Sequence, residues 1–290
     1  MKNKLLLVDG MALLFRGFFA TSFRGNFMKT ETGLPTNGVY QFLKYFLHAE
    51  STFRPTHIIC CWDMGKDTFR TSIYEGYKAN REHPPEELVP QFDLVKKVVE
   101  LFRIPNVGVA NYEADDCIGT LTANFKTEAE ITVLTGDRDL LQLVDCNVQV
   151  AIMKKGIGNY DLYSMENFHE KTGIDPQQVI EVKALMGDSS DNYPGVKGIG
   201  EKTAMKLIKE YGSVDSLLRH LSELPKGIQT KITNDREMLR ISRELAEIKK
   251  DVPLEFSMEE AGWNRKKEDV VKKLNEMELN HFAKLIMTTA

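Results

Sequence analysis

Short apolar runs alternate with longer amphipathic stretches along the first half of the chain. Residues 4–8 (KLLLV), 57–62 (HIICCW) and 130–136 (EITVLTG) are typical of strands that are buried on both faces. Between the first two runs, residues 37–53 repeat their apolar positions at the period of a helix. Strands that alternate with helices predict an α/β fold with a parallel, doubly wound sheet.

The pattern changes character about halfway along the chain. Residues 147–153 and 160–164 are predicted to form further strands, and from about residue 165 the pattern is helical only. We therefore divide the chain into an α/β core, residues 1–164, and a helical subdomain, residues 165–290.

Composition excludes few classes of protein. The chain has 290 residues, 42% of them hydrophobic, with a net charge of −4 and no apolar run of transmembrane length. Its cysteines lack the spacing of a zinc site and indicate reduced thiols, so we expect a cytoplasmic protein. A slightly acidic chain can still bind nucleic acid if its acidic and basic residues are concentrated at different places.

Acidic residues directly follow three of the predicted strands. Asp9 follows the first, Asp63 the second, and Asp137 with Asp139 the third. Because the carboxyl ends of parallel strands meet at one edge of a sheet, we expect these side chains to lie together. Further acidic residues come from YEADD, at the start of a helical pattern, and from the motif GDSSDN; they are Glu113, Asp115, Asp116, Asp188 and Asp191.

Each of these residues, taken alone, is also typical of a turn or a helix cap. As a set they are harder to explain that way, because two carboxylates ~4 Å apart repel by roughly 4 kcal/mol at an effective dielectric of ~20. Divalent cations would remove this repulsion, and ligands that are all oxygen favour Mg²⁺ or Mn²⁺ over zinc. Two ions ~4 Å apart are the arrangement that suits in-line hydrolysis of a phosphodiester.

A glycine-rich stretch, GVKGIGEKT at residues 195–203, could receive a phosphate. A P-loop requires Lys directly after its last Gly, but Glu201 intervenes here and no strand precedes the stretch. Helical patterns on both sides predict instead a helix-hairpin-helix over residues 183–212 that binds the DNA backbone. A plain turn between helices is the alternative. The expected DNA contacts here are Lys197, Gly198, Gly200, Lys202 and Lys206.

The segment at residues 64–90 is polar and contains several glycines and prolines. Its basic residues, among them Arg70, Lys78 and Arg81, are interleaved with aromatic residues such as Tyr77. Cations for the backbone and rings for the bases suit a flexible single strand of nucleic acid. An ordinary surface loop of mixed charge is the alternative.

Six motifs in order now carry a resemblance over residues 4–256: LLLVDG, CWDMGKDTFR, YEGYKANR, YEADDCIGTL, TGDRDLLQL and MGDSSDNYPGVKGIGEKTA. Together they closely resemble the 5′-nuclease domain of bacterial DNA polymerase I and the related stand-alone flap endonucleases. The resemblance implies a PIN-like core, a helical arch over residues 64–90 and a helix-3-turn-helix DNA clamp. Because the sequence ends at Ala290, we expect the stand-alone form.

The resemblance also implies roles for individual residues. Asp9, Asp63, Glu113 and Asp115 would hold a first Mg²⁺, and Asp137, Asp139, Asp188 and Asp191 would hold or frame a second, with Mn²⁺ as a substitute. Lys78 and Arg81 would contact the scissile phosphate or the strand, and Asp116 would support the cluster. Arg16, Arg70 and Tyr77 would add DNA contacts, and a K⁺ ion could lie on carbonyls of the hairpin. One departure is Met11, where relatives commonly have Asn.

The expected reaction is cleavage of 5′ flaps and 5′-to-3′ exonucleolysis. Expected substrates are DNA with a flap, nick, gap or RNA primer. The expected functional partners are a separate DNA polymerase and a ligase, and we expect a monomer. Two alternatives stay open: a junction-binding DNA protein with vestigial catalysis, and a metal-dependent phosphatase on small esters. The hairpin and the basic segment have no task in the phosphatase.

Overall fold

The computed structural model describes residues 2–22, 25, 27–264 and 267–288. Within these residues, six strands form one sheet in the order β3-β2-β1-β4-β5-β6. Their bounds are β1 Asn3–Asp9, β2 His57–Cys61, β3 Asn106–Val107, β4 Ala129–Thr135, β5 Val148–Met153 and β6 Tyr160–Tyr163. β1 to β5 are parallel and β6 is antiparallel to β5. The predicted sheet is confirmed, although the two-residue β3 is too short to show in the apolar pattern.

Helices follow or cover the strands. They are α1 Gly10–Thr21, α2 Asn37–Phe53, α3 Phe69–Ile73, α4 Val89–Leu101, α5 Ala114–Phe125, α6 Phe168–Thr172, α7 Gln178–Met186, α8 Glu201–Tyr211, α9 Val214–Arg219, α10 Lys226–Asn234, α11 Arg236–Ala246, α12 Lys267–Glu276 and α13 Asn280–Thr288. After β6, the described chain adds no further strand to the sheet and is mainly helical, as the sequence pattern predicts.

The two faces of the sheet build two hydrophobic cores. Alternate residues of β1 point to opposite faces, so Leu5 packs in one core and Leu6 in the other. The core around Leu5 contains α5 and continues into α7 and α8. The core around Leu6 contains α1, α2, α4 and also α13, where the ring of Phe282 lies 5.6 Å from that of Tyr40. The last two helices thus pack beside the N-terminal helices, while the boundary at residues 164 and 165 stays a prediction.

The segment at residues 64–90 is less helical than a helical arch would be. It contains the five-residue α3 and then a run of turns before α4 begins. Gly76 and the consecutive prolines Pro84 and Pro85 oppose a longer helix, and Lys78 has a φ of +54°. We keep the name arch segment for residues 64–90.

Candidate metal centre and nucleic-acid interface

Asp9 is both the last residue of β1 and the cap of α1. Its Oδ1 accepts a hydrogen bond from the amide of Ala12 at 2.9 Å, and its Oδ2 accepts one from the hydroxyl of Thr135 at 2.6 Å. The side chain is buried. Asp9 therefore caps α1 and at the same time contacts the end of β4.

Two other predicted residues are fixed by backbone amides at the same edge. Asp63, just past β2, accepts from the amide of Ala114 at 2.7 Å, which holds it against the first turn of α5. Asp137, just past β4, accepts from the amide of Asp139 at 2.8 Å. These contacts place carboxylates from β1, β2 and β4 around the N-terminus of α5, as the parallel sheet predicts.

A cavity of about 180 Å³ opens at this edge of the sheet. Five of the eight predicted metal residues line it, and they are Asp9, Asp63, Glu113, Asp115 and Asp137. Asp139 lies instead in an adjoining cavity of about 670 Å³, which Asp137 shares. Six of the predicted residues therefore line two neighbouring cavities that meet at Asp137. Asp188 lines a separate cavity, and Asp191 lines neither of the two.

Burial and like charges raise the pKa of several of these carboxyls. Burial, reinforced by Asp63 and Asp137, raises the pKa of Asp9 to about 7. Burial and then Asp137 raise the pKa of Asp139 to about 7, and burial with Asp137 and Asp9 raises that of Asp115 well above its usual range. The cluster is thus an unfavourable place for several negative charges unless a cation joins them.

Lysine and arginine side chains supply positive charge next to these carboxylates. Nζ of Lys78 lies 2.7 Å from Glu113 Oε1, and Nη2 of Arg81 lies 2.6 Å from Asp191 Oδ1. Lys78 and Arg81 of the arch segment therefore bind protein carboxylates in this arrangement, and their contact with the scissile phosphate or the strand stays a prediction.

Lys183 of α7 was not predicted. It forms ion pairs with both Asp139 and Asp188. Burial alone would raise the pKa of Asp188, but hydrogen bonds from Lys183 and Ser190 outweigh it and lower that pKa. Nothing in the sequence distinguishes Lys183 from other helical lysines, since its role depends on Asp139, which is distant in the chain.

The acidic side chains do not form a ready-made metal cage. Within the described residues, no group of three or more His, Cys, Asp or Glu side chains could hold an ion as it stands. Lys78 pairs with Glu113 and Lys183 with Asp139, so these two carboxylates already have cationic partners. The donors nevertheless fit Mg²⁺ or Mn²⁺ chemically, since they are carboxylate oxygens around a cavity.

The structure does not support the expected DNA contacts of Arg70 and Tyr77. The side chain of Arg70 is 3% exposed and forms a two-pronged ion pair with Asp116, at 2.7 and 2.8 Å. Tyr77 is also buried, and its hydroxyl donates to Glu113 and Asp191. Arg16 is half-buried and donates to the carbonyl of Lys154 in the β5–β6 hairpin.

The arch segment docks on the GDSSDN loop. The amide of Lys78 donates to the carbonyl of Asp191 at 2.8 Å, and Asn80 donates to the carbonyl of Ser189 at 3.1 Å. In the other direction, Asn192 donates to the carbonyl of Gly76 at 2.6 Å. The loop that leads into the hairpin is thus in direct contact with the basic segment.

The predicted hairpin is present between two helices. It connects α7 to α8, and Gly212, the last residue of the predicted range, is the C-cap of α8. Ile199 anchors the hairpin in the core. Gly198, with a φ of +80°, has its carbonyl bonded to Lys231 Nζ at 2.9 Å. The hairpin residues expected to contact DNA are all exposed, and they are Lys197, Gly198, Gly200, Lys202 and Lys206.

Comparison with known families matches nearly the whole chain. The family described as "5′-3′ exonuclease, N-terminal resolvase-like domain" matches residues 4–173, and "5′-3′ exonuclease, C-terminal SAM fold" matches residues 174–269. The fold and the acidic sheet edge therefore define the class of resolvase-like nucleases. More particularly, the chain belongs to the 5′-3′ exonuclease family.

Individual relatives agree. The chain is 60% identical over 259 residues to a 5′-3′ exonuclease of Bacillus subtilis, covering 89% of this chain and 88% of that one. It is 41% identical to DNA polymerase I of Bacillus caldotenax over 97% of its own length, but it spans only 32% of that polymerase.

Solved structures share the fold. The T5 5′-exonuclease with bound zinc superimposes with a TM-score of 0.69 at 22% identity, covering 98% of each chain. The catalytic core of Rad2 in complex with a DNA substrate gives a TM-score of 0.62 at 15% identity, covering 100% of this chain and 92% of that one. In the part of the chain that the structure describes, no helix is long and apolar enough to cross a membrane.

Proposed function

We propose that the chain is a structure-specific 5′ nuclease that cleaves 5′ flaps and degrades DNA from its 5′ end. The observation that carries this proposal is the cavity lined by Asp9, Asp63, Glu113, Asp115 and Asp137 at the carboxyl edge of the sheet. A protein that only binds DNA gains nothing from buried carboxylates near phosphates, because like charges repel. Family membership and the B. subtilis 5′-3′ exonuclease relative support the same conclusion.

Divalent ions would be held by the residues predicted from the sequence. Asp9, Asp63, Glu113, Asp115 and Asp137 surround the smaller cavity, and Asp139 lines the second. Asp188 shares Lys183 with Asp139, and Asp191 pairs with Arg81. When bound, Mg²⁺ would supply a nucleophile at neutral pH and stabilise charge on the phosphate. Mn²⁺ has similar ligand preferences and would substitute.

Side chains of the arch segment would orient the substrate. Lys78 and Arg81 line the same cavity as the carboxylates, so a phosphate at its mouth would be within their reach. Arg81 is half-exposed and can offer a two-pronged contact to phosphate oxygens. These two residues would bind and align the scissile phosphate, at the cost of their present contacts with Glu113 and Asp191.

The hairpin would hold the duplex part of the substrate. Its exposed amides at the start of α8, with Lys202 and Lys206 beside them, suit phosphates without reading bases. A K⁺ ion on the hairpin carbonyls remains part of the proposal, although Lys231 already contacts the carbonyl of Gly198. Substrates would be flaps, nicks, gaps and RNA-primed ends in replication and repair, with a polymerase and a ligase acting separately. The protein would act as a monomer in the cytoplasm.

A 5′-flap duplex labelled at its 5′ end tests the proposal, incubated with Mg²⁺ and, in parallel, with EDTA. Release of the flap as an oligonucleotide only in Mg²⁺ is the expected result. Mononucleotides alone would indicate exonuclease activity without flap cleavage. Tight binding to the junction without any product would favour the junction-binding protein with vestigial catalysis and contradict the proposal.

A further inference from the structure

Arg70, at the start of α3, joins two distant parts of the chain. Its two Nη atoms bind the carboxylate of Asp116 at 2.7 and 2.8 Å. Nε donates to the carbonyl of Leu245 at 3.0 Å, and Nη2 donates to that of Glu247 at 2.8 Å. We propose that Arg70 is a positioning residue that ties the end of α11 to the acidic N-terminus of α5, and that it acts on metal binding through Asp116.

Asp116 is saturated with hydrogen bonds and is not a metal ligand. Oδ1 accepts from Arg70 and from the amide of Lys249, at 2.8 and 2.9 Å. Oδ2 accepts from Arg70 and from the amide of Glu113, at 2.7 and 3.1 Å. Four donors use the roughly four lone-pair sites of a carboxylate. Asp116 therefore links the side chain of Arg70 to the backbone amide of Glu113.

The segment at residues 245–249 is rigidly attached to the core. Gln142, which is buried, donates to the carbonyl of Ala246 and accepts from the amide of Ile248, both at 3.0 Å. A Cβ on Gly119 of α5 would lie 2.6 Å from the carbonyl oxygen of Lys249, so only glycine allows this approach. Arg70 thus binds carbonyl groups of residues 245–249, a segment that other contacts hold in place.

The effect on the carboxylates follows from geometry. Asp116 holds the amide of Glu113, and Nη1 of Arg70 lies 3.5 Å from Glu113 Oε2. Glu113 and Asp115 both line the acidic cavity and flank the helix start that Asp116 fixes. Loss of the two-pronged pair would therefore misplace both carboxylates. Because the side chain of Arg70 is only 3% exposed, DNA affinity should not depend on it.

The Arg70→Lys variant distinguishes the effect of geometry from that of charge. Lysine keeps the positive charge but cannot form the two-pronged contact with Asp116. The measurement is the Mn²⁺ dissociation constant of the intact chain by titration calorimetry, without DNA. We expect it to rise about tenfold or more, the usual cost of disturbing a group that orients a metal ligand. With flap DNA, kcat should fall and KM should stay unchanged. Arg240→Lys is the matched control, because Arg240 on α11 pairs with Glu237 and is 63% exposed.

Two outcomes would overturn the inference. Weaker DNA binding with unchanged Mn²⁺ affinity would make Arg70 a DNA contact, and unchanged Mn²⁺ affinity and kcat would leave it a purely structural residue. If circular dichroism shows Arg70→Lys to be unfolded, Asp116→Asn replaces it with the same expected result. The inference rests on the proposed function, which the wild-type flap assay tests separately from this titration.

Discussion

Nζ of Lys78 lies 2.7 Å from Oε1 of Glu113, so a cation of the arch segment touches a carboxylate of the proposed metal centre. The arch segment and the metal centre are therefore coupled by direct contact. Any divalent ion that uses Glu113 must share it with Lys78 or displace the ammonium group. In the displaced state, Lys78 would be free to bind a phosphate at the same cavity.

Replacement of Lys78 should harm the reaction more than binding. Lys78→Ala removes a cation that would align and neutralise the scissile phosphate, and we expect kcat on flap DNA to fall by about 10²- to 10³-fold. The dissociation constant for the same DNA in EDTA should change little, because the hairpin supplies most of the contacts. Lys66→Ala is the control, since Lys66 lies in the same segment and contacts His83. Equal losses in kcat and affinity would contradict a role at the phosphate.

Lys183 should compete with a divalent ion for the second cavity. Lys183→Met removes the ammonium between Asp139 and Asp188, and we expect Mn²⁺ to bind there about tenfold more tightly, equivalent to about 1.4 kcal/mol. The same change should lower the Tm of the metal-free protein, because the carboxylates then repel without compensation. Calorimetric titration and thermal unfolding in EDTA measure the two effects. Lys284→Met on α13 should change neither, whereas unchanged Mn²⁺ affinity in Lys183→Met would refute the competition.

The hairpin lysines should contribute to affinity through phosphates alone. Lys202→Ala and Lys206→Ala should each weaken binding to all DNA sequences alike. Each should also reduce the slope of log K against log salt by about 0.9, the value for one lost phosphate contact. Binding isotherms over a range of salt concentrations give both quantities. Lys272→Ala, an exposed lysine of α12, is the control. An unchanged salt slope would remove that lysine from the DNA interface.

Stability of the metal-free protein should fall as pH rises. The pKa of Asp9 is raised from 3.8 to about 7 in the folded state, and that of Asp139 is raised likewise. The stability that these protonated carboxyls contribute is fully present below the unfolded-state pKa of 3.8. It is lost as pH rises through the folded-state pKa of about 7. In EDTA, Tm should be higher at about pH 5 than at about pH 8.

Mg²⁺ should stabilise the protein more at the higher pH, because it competes with protons for the same oxygens. The Asp9→Asn variant should show a smaller pH dependence in EDTA. A Tm in EDTA that rises between these two pH values would show that burial does not hold these carboxyls protonated.

The acidic edge of the sheet could be predicted from the sequence for a physical reason. Asp9, Asp63 and Asp137 each come just after a buried apolar run, and parallel strands bring their carboxyl ends to one edge. The hairpin could also be predicted, because its glycines and flanking helical periods are local signals. The two-residue β3 carries no such signal.

Side-chain partners could not be predicted in the same way. Arg70 and Arg81 stand in the same basic, aromatic segment, yet one is 3% exposed and the other 52%. What distinguishes them is Asp116, a partner 46 residues away from Arg70 in the chain. The role of Lys183 likewise depends on Asp139, which comes from a different part of the fold. Local pattern gives the position of an element but not the tertiary partner of a long charged side chain.

The most direct test of the central claim is the anomalous diffraction of Mn²⁺ in crystals of the wild-type protein. The proposal predicts manganese peaks at about 2.1 Å from carboxylate oxygens, the distance typical of Mg²⁺, in the cavity lined by Asp9, Glu113 and Asp115. It also predicts that Lys78 has left Glu113 in that crystal. Manganese absent from this cavity, with Lys78 still bound to Glu113, would contradict a metal-dependent nuclease centre at this edge of the sheet.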